Sequence, residues 1–224
     1  MSIAEKFAPY QHLVADLMPY AIGNASDASH DVSHVLRVWG NVQKISDTEG
    51  GDREILVVTT FLHDCVDVPK ESPARGQASR LAAKKAVRLL AGYGWAKERA
   101  ALVGHAIEAH SFSARIEPET VEAKILQDAD RLDAIGYIGI ARCFYVSGRL
   151  GRALYDPEDP DASDRELNDL NFAVDHFKTK LLQLSGSFQT ETGKALAIAR
   201  HGVVEEFLNG LLAEVSTQNR RRFW

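Results

Sequence analysis

The stretch ILVVTTFLHDCVDVPK, Ile55 to Lys70, decides the fold. Its first seven residues are rich in β-branched side chains and by propensity alone suit a strand. The apolar run nevertheless continues through Leu62, and no second convincing strand exists to pair with it. The reading is a buried helix that ends in charge. His63 stands beside Asp64, Asp67 follows, and Pro69 forces an exit before Lys70. Charge next to a core is costly unless it is paired or binds a metal, so these groups need something opposite them.

Outward from this segment the apolar residues recur with a helical period. Val35, Val38, Val42 and Ile45 form one stripe, and Ala78, Ala82, Ala86 and Leu89 another. Ser163 and Glu166 have the spacing of a capping box, followed by Leu167, Leu170, Val174, Phe177, Leu181 and Leu184. A last long helix is expected from about Glu191 to Glu214, with Leu196, Val203, Phe207 and Leu211 on one side. Turn residues at Gly50-Gly51, Pro69 to Pro73, Gly92 to Gly94 and YDPEDPDAS punctuate the chain, none long enough for an interdomain linker. The expectation is an all-α fold of about eight or nine helices, with residues 1–224 as a single domain. The motif-bearing part is 30–144, and helices over 163–215 complete it. The stretch from Ser147 to Ser163 reads as a lid or an oligomer contact.

A net charge of −5 argues against a general binder of nucleic-acid polymers or membrane surfaces. Two cysteines, Cys65 and Cys143, are too few for a disulfide framework, and no run approaches a membrane span. The start MSIAEKFAPY lacks the pattern of a secretory signal. A cytoplasmic protein, monomeric or homodimeric, is expected. Walker-type, GxGxxG, HExxH and GxSxG patterns are missing, and their usual enzyme classes go with them.

His34 belongs near the apolar stripe of its helix, one turn before Val38. In VEAKILQDADRLDAIG, Asp130 and Asp133 lie beside a core stripe of Val121, Ile125, Ala129 and Leu132. Together with His63 and Asp64 this gives two imidazoles and carboxylates from three helices, a mixed nitrogen and oxygen set for a divalent ion. Imidazole suits Zn²⁺, Mn²⁺, Fe²⁺, Co²⁺ or Ni²⁺, and the carboxylates admit Mg²⁺. Asp133 reads either as a substrate contact or as a prop for Arg131 or Arg37. Cys65 reads as a small buried residue. His12, His176 and His201 read as surface or core positions, and His30 as lying at a helix entrance.

The order His34, then His63-Asp64, then Asp130 resembles the H…HD…D signature of the HD-domain superfamily of metal-dependent phosphohydrolases. HDVSHVLRVW, HDCVDVPKESPARGQASRLAA, HAIEAHSFS and QDADRLDAIGYIGIARCF together are similar to its small single-domain bacterial branch. The resemblance implies packed helices around one divalent ion held by His34, His63, Asp64 and Asp130. It also implies hydrolysis of phosphoester or phosphoanhydride bonds, often in nucleotides, and in some members pyrophosphate release from nucleoside triphosphates. In related nucleotide hydrolases an acid three residues after the HD aspartate assists the attacking water. That position is Asp67 here, where many relatives carry Glu.

On this reading Asp67 takes a proton from water, Lys70 lies against phosphate oxygens, and Arg75 is a second phosphate contact. His105 and His110, five residues apart, do not share a helix face. They are read as contacts to phosphate or donors to the leaving group, and two-metal branches of the superfamily carry extra histidines in this interval. Two other functions compete: an HD-fold di-iron oxygenase, with His105 and His110 as added ligands, and a non-catalytic nucleotide-binding regulatory module.

Overall fold

The structure is a computed structural model and describes residues 2–21, 32–66, 68, 72, 75–111 and 114–219. Among these residues there are nine α-helices and no strand: α1 (Gln11–Ala21), α2 (Val32–Glu49), α3 (Arg53–Leu62), α4 (Ala78–Gly92), α5 (Lys97–His110), α6 (Val121–Asp133), α7 (Gly136–Arg149), α8 (Asp175–Thr179) and α9 (Glu191–Asn219). Short 3-10 turns cover Ala4–Phe7, Arg75–Gln77 and Leu181–Ser187. No described helix is long and apolar enough to cross a membrane.

By backbone contacts the chain divides into two compact units, Met1–Asp130 and Arg131–Trp224, the division falling in the last turn of α6. In the first unit, α3 is buried on every side from Ile55 to Leu62. Its β-branched composition does not yield a strand because tertiary burial decides, and because the helix satisfies its own polar groups. The hydroxyls of Thr59 and Thr60 both donate to the carbonyl of Leu56, at 3.1 and 2.7 Å. Asp52 caps the helix, accepting from the N–H groups of Glu54 and Ile55. Arg99 pairs with both Asp52 and Glu54 at 2.8 Å. The expected stripe of α2 is buried in full. Trp39 on α2 stacks on Phe7, whose ring also meets Phe61 of α3 edge-on.

In the second unit the expected helix from Ser163 does not form. Asp159 takes the N–H and hydroxyl of Ser163 and the N–H of Asp164, so Ser163 is a donor to a turn rather than a helix cap. Arg165 then folds onto the buried Asp175 with two bonds of 2.6 and 2.8 Å. Leu167 and Leu170 stay exposed, while Val174 just before α8, Phe177 on it, and Leu181 and Leu184 in the turn after it are buried. A parallel bridge joins Ala153 to Phe172. On α9, Ala197, Val204 and Leu208 are buried, each one residue beyond an expected position, and Val215 is buried further along. Phe207 still stacks on Phe177. Both cysteines are free and buried, and burial pushes each thiol up to about 11.

Candidate metal centre

Three helices of the first unit present their C-terminal turns at one place. His63 is the residue that caps the end of α3, His110 is the last residue of α5, and Asp130 lies in the last turn of α6. His34 comes from the first turn of α2. Backbone carbonyls at such ends carry a partial negative charge, about −0.5 per helix, which favours a cation.

The Nε2 atoms of His34 and His63 lie 3.1 Å apart. Asp130 Oδ1 is 3.5 Å from the first and 4.0 Å from the second. Asp64 Oδ2 is 3.8 and 3.6 Å from the same two nitrogens. Both histidines are buried, whereas the side chains of Asp64 and Asp130 are 33% and 27% exposed, so the cluster opens on the carboxylate side. The protonation pattern follows from the second nitrogens. His63 Nδ1 faces the carbonyl of Thr60 at 2.8 Å, which can only accept, so Nδ1 carries the hydrogen and Nε2 a lone pair.

His110 repeats this device. Its Nδ1 donates to the carbonyl of Ile107 at 2.6 Å, and Nε2 faces Asp64 Oδ1 at 3.7 Å. Burial, then His63, hold this imidazole below its ordinary value against the pull of Asp130 and Asp64. Imidazole nitrogens and carboxylate oxygens thus converge on one place, a donor set that suits a divalent cation.

The spacing fits such an ion. Octahedral bonds of about 2.1 Å put neighbouring ligand atoms about 3.0 Å apart and opposite ones about 4.2 Å apart. The three separations among His34, His63 and Asp130, 3.1, 3.5 and 4.0 Å, lie inside that range. Among the described residues, His34, His63 and Asp130 form a metal-holding group whose ligand atoms lie within 4.8 Å of one another.

Two buried amides hold the frame. Asn41, two turns along α2 from His34, donates to the carbonyl of Ala129 at 2.9 Å. Gln127 on α6 donates to the carbonyl of Ala109 at 2.6 Å. Each bond ends on the residue before a member of the cluster. Sequence reading missed both. The only signal available was an amide interrupting an apolar stripe, beside Val42 in one case and Leu126 in the other.

The other residues singled out in the sequence fall elsewhere. His105 Nε2 accepts from the N–H of Glu119 at 3.0 Å, closing the connection from α5 towards α6. Asp133 is buried in the second unit and accepts from Arg142 at 2.8 Å, while Arg131 donates to the carbonyl of Ser187. Cys65 is 2% exposed, and Lys85 binds its carbonyl at 2.7 Å. His30, Asp67, Lys70 and the side chain of Arg75 lie outside the described residues.

Comparison with known proteins agrees with this construction. The family model for the HD domain matches residues 31–135. The uncharacterized protein YpgQ of Bacillus subtilis is 34% identical over 192 residues, covering 84% of this chain and 85% of that one. The crystal structure of Bacillus subtilis YpgQ in complex with ADP is similar with a TM-score of 0.68 and 30% identity, over 90% of this chain and 97% of the other. A crystal structure of an HD-superfamily hydrolase from Bacillus thuringiensis is 33% identical, with a TM-score of 0.66, covering 95% of this chain and 98% of that one. With the signature histidines and aspartates gathered on the ends of packed helices, the chain belongs to the HD-domain superfamily.

Proposed function

We propose that this chain is a divalent-metal-dependent phosphohydrolase that cleaves a phosphoester or phosphoanhydride bond of a nucleotide, with nucleoside triphosphates as candidates for pyrophosphate release. The observation that carries the reading is the 3.1 Å approach of two imidazole Nε2 atoms flanked by two carboxylates, in a chain whose relatives include an HD-superfamily hydrolase. The nucleotide is supported by the ADP complex of the similar Bacillus subtilis protein.

His34, His63, Asp64 and Asp130 hold the ion in this proposal. A bound divalent ion there would supply Lewis-acid polarisation of a phosphoryl oxygen and a lower pKa for water. The chain's part is to place and neutralise, since phosphoryl transfer needs little covalent help. Asp67 accepts the proton of the attacking water, and Lys70 and Arg75 face phosphate oxygens. His110, whose Nδ1 hydrogen is taken by the carbonyl of Ile107, presents an acceptor at Nε2 rather than a proton for the leaving group, and with Asp64 Oδ1 it marks where a second ion would bind. A phosphorylated small molecule is the partner.

Metal-stripped protein is incubated with nucleotides and simple phosphoesters, with Mn²⁺, Mg²⁺, Co²⁺, Ni²⁺, Zn²⁺ or Fe²⁺ added singly, and phosphate is resolved from pyrophosphate. The expected result is metal-dependent release that falls about a thousandfold or more in His63→Ala and Asp64→Ala, since the ion supplies several kcal/mol of transition-state stabilisation. Stoichiometric metal uptake with no turnover on any of these compounds would sink the proposal. Iron content with oxygen consumption would replace it by the oxygenase reading, and tight nucleotide binding without turnover by a regulatory module.

A further inference from the structure

The second unit carries a basic cluster outside the metal centre. Its frame is backbone. The N–H of Arg152 donates to the carbonyl of Ser147 at 2.9 Å. Ala153 then exchanges 2.9 Å bonds with Asn171 and Ala173, which lays Arg152 beside the stretch that leads from Asp169 into α8. On α8, His176 Nδ1 meets Asp169 Oδ2 at 2.9 Å, and the Thr179 hydroxyl donates to the same oxygen at 3.1 Å. Lys180 follows at once, its N–H bonded to the carbonyl of His176. Arg152 lies close enough to act on the Asp169 carboxylate, the His176 imidazole and the Cys143 thiol, and Lys180 on the latter two.

Arg152 and the His176 imidazole therefore flank one carboxylate, which is engaged by His176 and Thr179, and Lys180 adds a positive charge on the side of the imidazole. Of the acids nearby in sequence, Asp156 and Asp175 pair with Arg165, and Asp161 with Lys178. Arg152 is half-buried, and among the described residues its guanidinium takes part in no hydrogen bond. A planar fork of five donors is thus presented without an acceptor.

We propose that Arg152, His176 and Lys180 form an oxyanion site that takes a phosphate group. The Arg152 fork binds two phosphate oxygens and Lys180 adds a point charge. Asp169 holds the hydrogen of His176 on Nδ1, so Nε2 is an acceptor and suits an anion that still carries a hydroxyl. Hydrogen phosphate and a singly protonated phosphate monoester have one, and sulfate at neutral pH does not. The site does not rest on the function proposed for the metal centre.

The test uses the full chain in chelator, titrated calorimetrically with inorganic phosphate, pyrophosphate, ADP and sulfate, with the His176 ring followed by NMR. Phosphate is expected to bind and shift the His176 resonances. Arg152→Ala should weaken binding at least about tenfold. Arg152→Lys, which keeps the charge and guards against a folding defect, should weaken it less. Asp130→Asn should bind as the wild type does. ADP binding tighter than phosphate would make a nucleotide the source of the group, and equal affinity would make it free phosphate. The proposal is overturned by unchanged affinity in Arg152→Ala, by binding lost in Asp130→Asn, by sulfate binding as tightly as phosphate, or by no binding at all.

Discussion

Asn41 makes a 2.9 Å bond to the carbonyl of Ala129, and through it α2 and α6 hold His34 and Asp130 at their 3.5 Å separation. Loss of an outer partner that orients metal ligands typically costs about 10–100-fold in metal affinity. Asn41→Ala should therefore lose about that much in a Mn²⁺ titration while keeping its helical circular dichroism. A second residue-scale prediction concerns Asp133. Its carboxylate is 2% exposed and its Arg142 partner 24%. Arg142→Ala leaves a buried acid short of a partner and should cost about 2–4 kcal/mol in denaturant unfolding, much of it recovered when Asp133 is also made apolar. The contrast between these residues shows what sequence discloses at this scale. The gathering of His34, His63 and Asp130 was legible because imidazole and carboxylate beside an apolar stripe are chemically conspicuous. Asn41 was not, because its role depends on a carbonyl 88 residues away. Asp133 looked like a member of the site because it shares α6 with Asp130, and only the position of Arg142 reveals its partner.

At the scale of elements, α7 begins under a tight steric constraint. A Cβ on Gly139 would stand 2.3 Å from the carbonyl oxygen of Ala134, a backbone atom that cannot turn aside. Gly139→Ala should destabilise the second unit by about 1–3 kcal/mol, read from its thermal unfolding. The segment around Arg165 makes a different prediction. Burial alone would raise Asp175, but the bonds from Arg165 and from the N–H of Asn168 outweigh it and hold the carboxyl below its ordinary 3.8. Asp159 is held low by the N–H groups of Asp164 and Ser163. A carboxyl depressed in the folded state stabilises fully above its unfolded value, and the contribution is lost as pH falls through the folded one. Amide protection over 156–180 should therefore weaken below about pH 4, while Arg165→Met should already show weaker protection at neutral pH. Protection unchanged down to pH 2 would refute the linkage. The same residues explain a misread helix. Ser163 and Glu166 carry a capping-box spacing, but Asp159 reaches Ser163 first, and side-chain competition of that kind is invisible to periodicity. The opposite held for α3, where burial on all sides overrode strand propensity and the length of the apolar run was the better guide.

For the whole molecule, the helical class was readable from the period of its apolar residues, whereas the division after Asp130 was not. No linker composition marks that point, since it falls inside a helix. Metal should couple to global stability. At a hundred times its dissociation constant an ion that binds only the folded state adds about 2.7 kcal/mol, so Mn²⁺ should raise the unfolding temperature of the wild type and leave that of His34→Ala unmoved.

The helix ends that meet at the cluster have a consequence in time as well as in energy. Three C-terminal turns and two carboxylates make a place that turns polyanions away while it is bare. On the proposed function arrival is then sequential: the cation enters first and offsets much of the negative charge of the doorway, and the phosphorylated molecule follows. A chelator added ahead of substrate should abolish its capture at this centre, and one added after capture should act only as fast as the ion escapes.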